Sequence, residues 1–328
     1  MKALCSGVLL GVLALAAVKE KGKVVPSGGI AVPGIQIPFA NLKTEAVVAL
    51  ESPAGALLFA QNLLATQGAK IARIDTKGNK TLEAWSAAEG LCGGMTNAFG
   101  FLWAPSCGKN SILKIDTKSG KTTNTLEFGA QAGEQTIAAS GDSIWAITDS
   151  KGTLSRLDPK EHAVVAEFRL ATGCNALAFE ADAIWATCPA ENRVLRVNTK
   201  TNVVTDRIEA ASEPVAMAFA EGTLFVLGKK EGKISKIDPK TNKVTGTIET
   251  KVNGAAGSMA FGDGYLWLSQ TGFPLTKIDV KNDKVMQQFY GEGAGTLKFA
   301  AGSLWLATAG KAEVKRIDPK RVAVTLAE

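Results

Sequence analysis

The chain has a single histidine among 328 residues, two tyrosines and an aromatic fraction of 6%. A pair of histidines sharing general acid and base work is therefore excluded. There is no C-x-x-C, no H-E-x-x-H and no EF-hand spacing, so the familiar signatures of metal sites are missing and no metal or cofactor is expected. Glycine-rich pieces such as "YGEGAG" from Tyr290 lead into strand-like runs rather than a helix, which makes them loops and not a nucleotide fingerprint. The formal charge is +6, yet lysines and carboxylates alternate and no basic run stands out. Nucleic acid is not an expected partner.

Long apolar runs are also scarce. The one near the N-terminus, Val8 to Ala17, follows Lys2 and ends in Ala14-Leu15-Ala16, the small-x-small form of a signal-peptidase site. "KEKGK" from Lys19 then turns abruptly polar. Residues 1–17 read as a signal peptide, 18–44 as an N-terminal segment and 45–328 as the folded body. The run is too short for a comfortable transmembrane helix, so a periplasmic or extracellular protein without stable membrane insertion is expected.

What the chain has in abundance is repetition. "KIDPKTNKV" from Lys236 returns with variations from Arg73, Lys114, Arg156, Arg196, Lys277 and Arg316. The turn acids fall at Asp75, Asp116, Asp158, Asp238, Asp279 and Asp318, with Asn198 in the remaining place, 39 to 42 residues apart. Trp103, Trp145, Trp185, Phe225, Trp267 and Trp305 keep step 12 or 13 residues ahead. A third phrase, "LAFE", "MAFA" or "MAFG", precedes Trp185, Phe225 and Trp267 by eight residues.

Each repeat holds four short apolar or β-branched runs, here named A to D, separated by Gly, Asp, Asn or Pro turns. Runs such as "LWL" are apolar at consecutive positions, as a strand buried on both faces requires. The sequence predicts an all-β fold, a seven-bladed β-propeller of four-stranded antiparallel blades. The recurring phrase is then a C–D hairpin, its acid accepting backbone N–H bonds two residues on. The basic residue two before each acid shares its strand face, and is expected to pair with that acid or lie over an aromatic ring.

"GTLFVLGKKEGKISKIDPKTNKVTGTI" and "GYLWLSQTGFPLTKIDVKNDKV" resemble the bacterial YVTN/YncE-like propellers and the related virginiamycin B lyase propellers. The resemblance covers roughly residues 45–328 and is carried by turn and core positions. It implies that the D–A and B–C loops open on one face around a central mouth, where the lyases place catalytic histidines in "P-H-G-I"-like phrases. The matching phrases here, "GGMTNAF", "EQTIAAS", "CNALAF", "EPVAMAF", "AGSMAF" and "AGTLKF", contain none. His162 sits in a C–D turn and reads as a solvated surface residue. Carboxylate chemistry would fall to Glu134 with Glu213 or Glu292. The favoured reading is a monomeric binding scaffold for an unknown small molecule or protein, with mouth candidates Glu134, Gln135, Asn175, Asn192, Gln270 and Phe273. The alternative is a lyase or hydrolase at the mouth.

Two expectations concern connectivity. Cys92 with Cys107, and Cys174 with Cys188, each bracket one A–B hairpin, so hairpin geometry selects these two disulfides. At the seam, "RVAVTL" from Arg321 is expected as the last D strand, with Val47 to Leu50 read as an A-like run. Ile35 and Ile37 are expected to pair as an extra outer strand or to pack against the seam.

Overall fold

The computed structural model describes residues 28–87 and 90–322. Seven antiparallel sheets form around a common axis, and each inner strand packs against the inner strands of both neighbouring blades, so the ring is closed. Blade 1 comprises Leu57–Ala60, Asn62–Gln67, Lys70–Asp75 and Lys80–Ser86. Blades 2 to 6 repeat the pattern, with inner strands Thr96–Ala98, Ile137–Ala139, Ala176–Glu180, Pro214–Ala220 and Gly257–Gly262. Blade 7 runs through Gly295–Ala300, Ser303–Thr308 and Glu313–Ile317.

The B strands supply the layer between blades. Trp103, Trp145, Trp185, Trp267, Trp305 and Phe225 are all buried there. Burying an indole leaves its N–H to be satisfied. Four of the five tryptophans donate to the carbonyl five residues back, at Ala98, Glu180, Gly262 and Ala300, and Trp145 donates to Ser140 Oγ. The fixed spacing between the second and third phrases follows from this bond.

The C–D turn behaves as its chemistry dictates. Asp75, Asp116, Asp158, Asn198, Asp238, Asp279 and Asp318 each accept the N–H two residues on. The fourth residue after the acid takes a positive φ in six of the seven: Asn79, Gly120, His162, Asn202, Asn242 and Asp283. Left-handed backbone favours Gly, Asn and Asp, and it turns the chain back into the D strand.

The seventh turn differs. Its fourth residue is Val322, a β-branched residue with φ of −79°, and Pro319–Arg321 form a single 3-10 turn instead of a hairpin. The outer strand of blade 7 is Ala46–Ala49, antiparallel to Glu313–Ile317 with Val48 opposite Val314. This corrects the expectation for "RVAVTL", whose last four residues lie outside the described residues, and for Val47 to Leu50, which is not an A strand. Ile37 does join an extra outer strand, Gln36–Pro38, but parallel to Lys284–Tyr290 of blade 6 and not at the seam.

The recurring basic residue is a bridge between blades. It pairs across the B–C ladder with the central B residue, as in Trp145 with Arg156 and Trp305 with Arg316. Six of the seven lie over an aromatic ring of their own blade, from 4.0 Å for Lys277 over Tyr265 to 5.7 Å for Arg73 over Trp85. The head then reaches the next blade's turn rather than its own acid. Arg156 Nη1 donates to Thr199 O and Asn202 Oδ1, Lys236 Nζ meets Asp283 Oδ1, and Lys277 Nζ donates to Val322 O. Lys114 Nζ donates to Pro159 O and lies 2.7 Å from His162 Nε2. His162 is therefore half-buried at a seam, which corrects its reading as a solvated residue. Among the described residues Arg73 instead pairs with Glu83 of its own blade at 2.7 Å, Gly120 offering no side chain, and Arg196 turns to Ala181 O and Thr205.

Candidate functional site

The A strands begin at the loop-rich face, where the D–A loops descend toward the axis. The blade 3 loop goes furthest in. Gln135 pairs its side-chain amide with the main chain of Met217 in blade 5, donating to the carbonyl at 2.8 Å and accepting the N–H at 3.1 Å. Glu134 Oε1 accepts from Ser258 Oγ of blade 6 at 2.7 Å and from Thr296 Oγ1 of blade 7. Two consecutive side chains thus tie one blade to three blades across the axis.

This loop is gripped from both sides by main chain. Gly133 N donates to Cys92 O at 3.0 Å, Gly94 N donates to Gly133 O at 2.9 Å, and Leu177 N donates to Gln135 O at 2.6 Å. A side chain on Gly94 would overlap the carbonyl of Glu134, so only glycine permits the approach. The flanking strands are the disulfide-bonded ones. Cys92 and Cys107 are joined with Cα atoms 5.6 Å apart, and Cys174 and Cys188 with Cα atoms 4.0 Å apart. Both pairings are those expected from the hairpin spacing.

Above the loop opens a chamber of about 910 Å³, lined by Glu134, Gln135, Asn175, Lys229, Glu292 and Lys311 among many small residues. It runs into a lateral groove of about 1210 Å³ that reaches the N-terminal segment at Phe39 and Thr44. Lys229, Thr271, Gly272, the 291–293 loop and Lys311 border both spaces.

The six candidates separate in this frame. Glu134, Gln135 and Asn175 line the chamber, where Asn175 Oδ1 accepts from Thr187 Oγ1 at 2.8 Å. Phe273 lines the lateral groove but is buried against Val252, Ala255 and Tyr290. Gln270 is buried in the wall, its Nε2 donating to Ala255 O at 3.3 Å. Asn192, in left-handed conformation, accepts from Glu213 N at 2.9 Å and braces two loops without bordering either space. Glu292 borders the chamber with Glu134, whereas Glu213 does not.

Lys229, Lys311, Ser258 and Thr296 escaped the sequence reading because lysines at loop ends and hydroxyls on strands carry no distinctive spacing. Lys298 escaped it too, although it had a signal. "AGTLKF" carries lysine where "EPVAMAF" and "AGSMAF" carry alanine. Burial pushes the Glu134 carboxyl above its ordinary range, partly offset by the hydroxyls of Ser258 and Thr296 and the charge of Lys298. Burial lowers Lys298 in turn, opposed by the charge of Glu134. The arrangement holds a reluctant acid and a reluctant base near one another on the axis.

A family model described as a repeat of unknown function (DUF6923) matches residues 169–325, from the end of blade 3 through blade 7. No curated protein matches the chain.

Proposed function

We propose that this chain is an exported, monomeric binding propeller that takes an extended acidic polypeptide segment across its loop-rich face. The observation that carries the reading is the continuity of the central chamber with the lateral groove. Together they exceed the range of roughly 300–1,000 Å³ common for small-molecule sites. Lys229 and Lys311 stand where the two spaces join, and among the described residues neither is held in a salt bridge, although the charge of Lys311 acts on Glu313. The bordering glycine loops leave main chain exposed to an extended partner. Support for export comes from the two disulfides, which need an oxidising compartment, and from the reading of residues 1–17. The likeness of the repeats to YVTN/YncE-like propellers fits a binding role but names no ligand.

The test uses a fluorescent ten-residue Glu-rich peptide against a Lys-rich control. Binding should favour the acidic peptide, weaken with salt, and fall at least tenfold in the Lys229→Glu/Lys311→Glu variant. Equal affinity for both peptides, or an unaffected double variant, overturns the reading.

The lyase reading has one observation in its favour, the raised carboxyl of Glu134 in the chamber that Glu292 also borders. Against it, Glu134 Oε1 already accepts from Ser258 and Thr296 in bridging blades.

A further inference from the structure

A second chamber lies beneath the mouth. Glu134 and Gln135 border both, so these two side chains are the partition between them. The lower space measures about 410 Å³ and follows the inner strands to Phe219, Phe261 and Phe299 at their far ends. That is small-molecule size.

On each inner strand, one residue pairs with the central residue of the B strand. These are Leu58, Thr96, Ala138, Ala178, Ala218, Ala260 and Lys298. Six repeats place an uncharged side chain there and the seventh places a lysine. An ammonium taken out of water costs free energy unless acceptors replace the water. Lys298 lines the chamber, yet among the described residues its Nζ has no protein acceptor and no ion pair within hydrogen-bond reach. Its atoms are absent from the fully enclosed polar groups, so the ammonium is reachable from the chamber. Glu134, the other charged residue bordering that space, takes Ser258 and Thr296 at Oε1 and acts on Lys298 through its charge, without a hydrogen bond. Three N–H donors are thus left to a ligand.

We propose that this lower chamber is a second binding site, for a small organic monocarboxylate whose oxygens take the Lys298 ammonium. One cation suits one carboxylate. A second acidic group would meet Glu134 at the roof. The chamber is far larger than an inorganic anion, and Phe219, Phe261 and Phe299 offer a short organic body apolar contact beyond the partition. The site is separate from the proposed peptide trough and does not depend on it.

Benzoate, hexanoate, succinate and inorganic phosphate are titrated into the full mature chain, followed by calorimetry and by the ¹⁵Nζ resonance of Lys298. Benzoate or hexanoate should bind saturably and shift that resonance. Lys298→Met should weaken binding at least tenfold, while Lys298→Arg retains it. Glu134→Gln should bind as well or better, since it removes the opposing charge. A lysine serving only to balance Glu134 would alter stability without altering uptake. Absence of saturable binding, an unmoved Lys298 resonance in the unmutated chain, or equal affinity in Lys298→Met overturns the proposal. So does preference for phosphate or succinate, or equal loss in Lys229→Glu/Lys311→Glu, which would put the ligand in the mouth.

Discussion

Arg316 and Asn79 stand 237 positions apart in the chain and 2.9 Å apart in the ring, Nη1 of the first donating to Oδ1 of the second. The same guanidinium donates to Thr76 O and lies 3.0 Å from Glu45 Oε2. One side chain therefore joins the last blade, the first blade and the strand that completes the last. A partly buried hydrogen bond to a charged group contributes about 1.5–3 kcal/mol. Arg316→Ala should lower stability by that order in urea unfolding. Arg196→Ala, which loses a comparable ring contact but only two hydrogen bonds of 3.4 Å, should cost less. Equal losses would show that the bridge to the next blade is not what matters.

Closure by Ala46–Ala49 makes adjacent valines unequal. Val48 is 2% exposed and packs with Leu57, Leu63 and Trp305, whereas Val47 is 53% exposed. Val48→Asp should destabilise by roughly 2–4 kcal/mol, the cost of an unpaired buried polar group, and Val47→Asp should be near neutral. Thermal melts of the two variants check the register directly.

The disulfides close loops of 15 and 14 residues, for which a stabilisation of about 3 kcal/mol each is the chain-entropy expectation. Peptide mapping without reductant should recover Cys92–Cys107 and Cys174–Cys188. Replacing either pair by serine should also raise hydrogen exchange at the Gly133 and Leu177 amides, which bond the loop to the flanking disulfide-bonded hairpins. Protection unchanged at these amides would separate the disulfides from the mouth.

Gly94→Ala places a methyl group against the Glu134 carbonyl, a contact with backbone that cannot swing aside. A loss above about 2 kcal/mol is expected. Gly100→Ala, where nothing lies within 4 Å, meets only the backbone penalty of its positive φ and should lose less.

The raised pKa of Glu134 fixes the sign of a pH effect. A carboxyl that holds its proton more tightly when folded adds stability fully present below its unfolded pKa. That stability is lost as pH rises through the folded value. Glu134→Gln should flatten this part of the stability profile, which begins at the ordinary glutamate pKa and extends upward. A profile unchanged by the substitution would mean that Glu134 is not the group responsible.

The seven-fold architecture was legible because turn and core positions repeat. Asp238, Pro239 and Asn242 state a hairpin in local terms, and Trp185 repeats at a spacing that its own indole bond enforces. The seam was misread although its signal was local too. Val322 stands where Asn, Gly, His or Asp stands in the other turns, and that substitution withholds the left-handed residue the hairpin needs. The site was less legible for a different reason. Glu134 was identifiable as a carboxylate at an A-strand start, but its partners Ser258 and Thr296 lie 124 and 162 residues away. Nothing in a repeat announces which copy its loop will reach across the axis to meet.

The strand that completes the last blade, Ala46–Ala49, is made long before its partner, Glu313–Ile317. Contacts of such sequence separation form slowly, and unpaired edges left waiting invite aggregation. A chain halted after Tyr290 would hold Ala46–Ala49 with nothing to pair against. It should be cut readily by protease in that segment, where a chain that includes Glu313–Ile317 resists. Closure thus acts as a check on synthesis, since only a chain extended through Ile317 can fasten Ala46–Ala49.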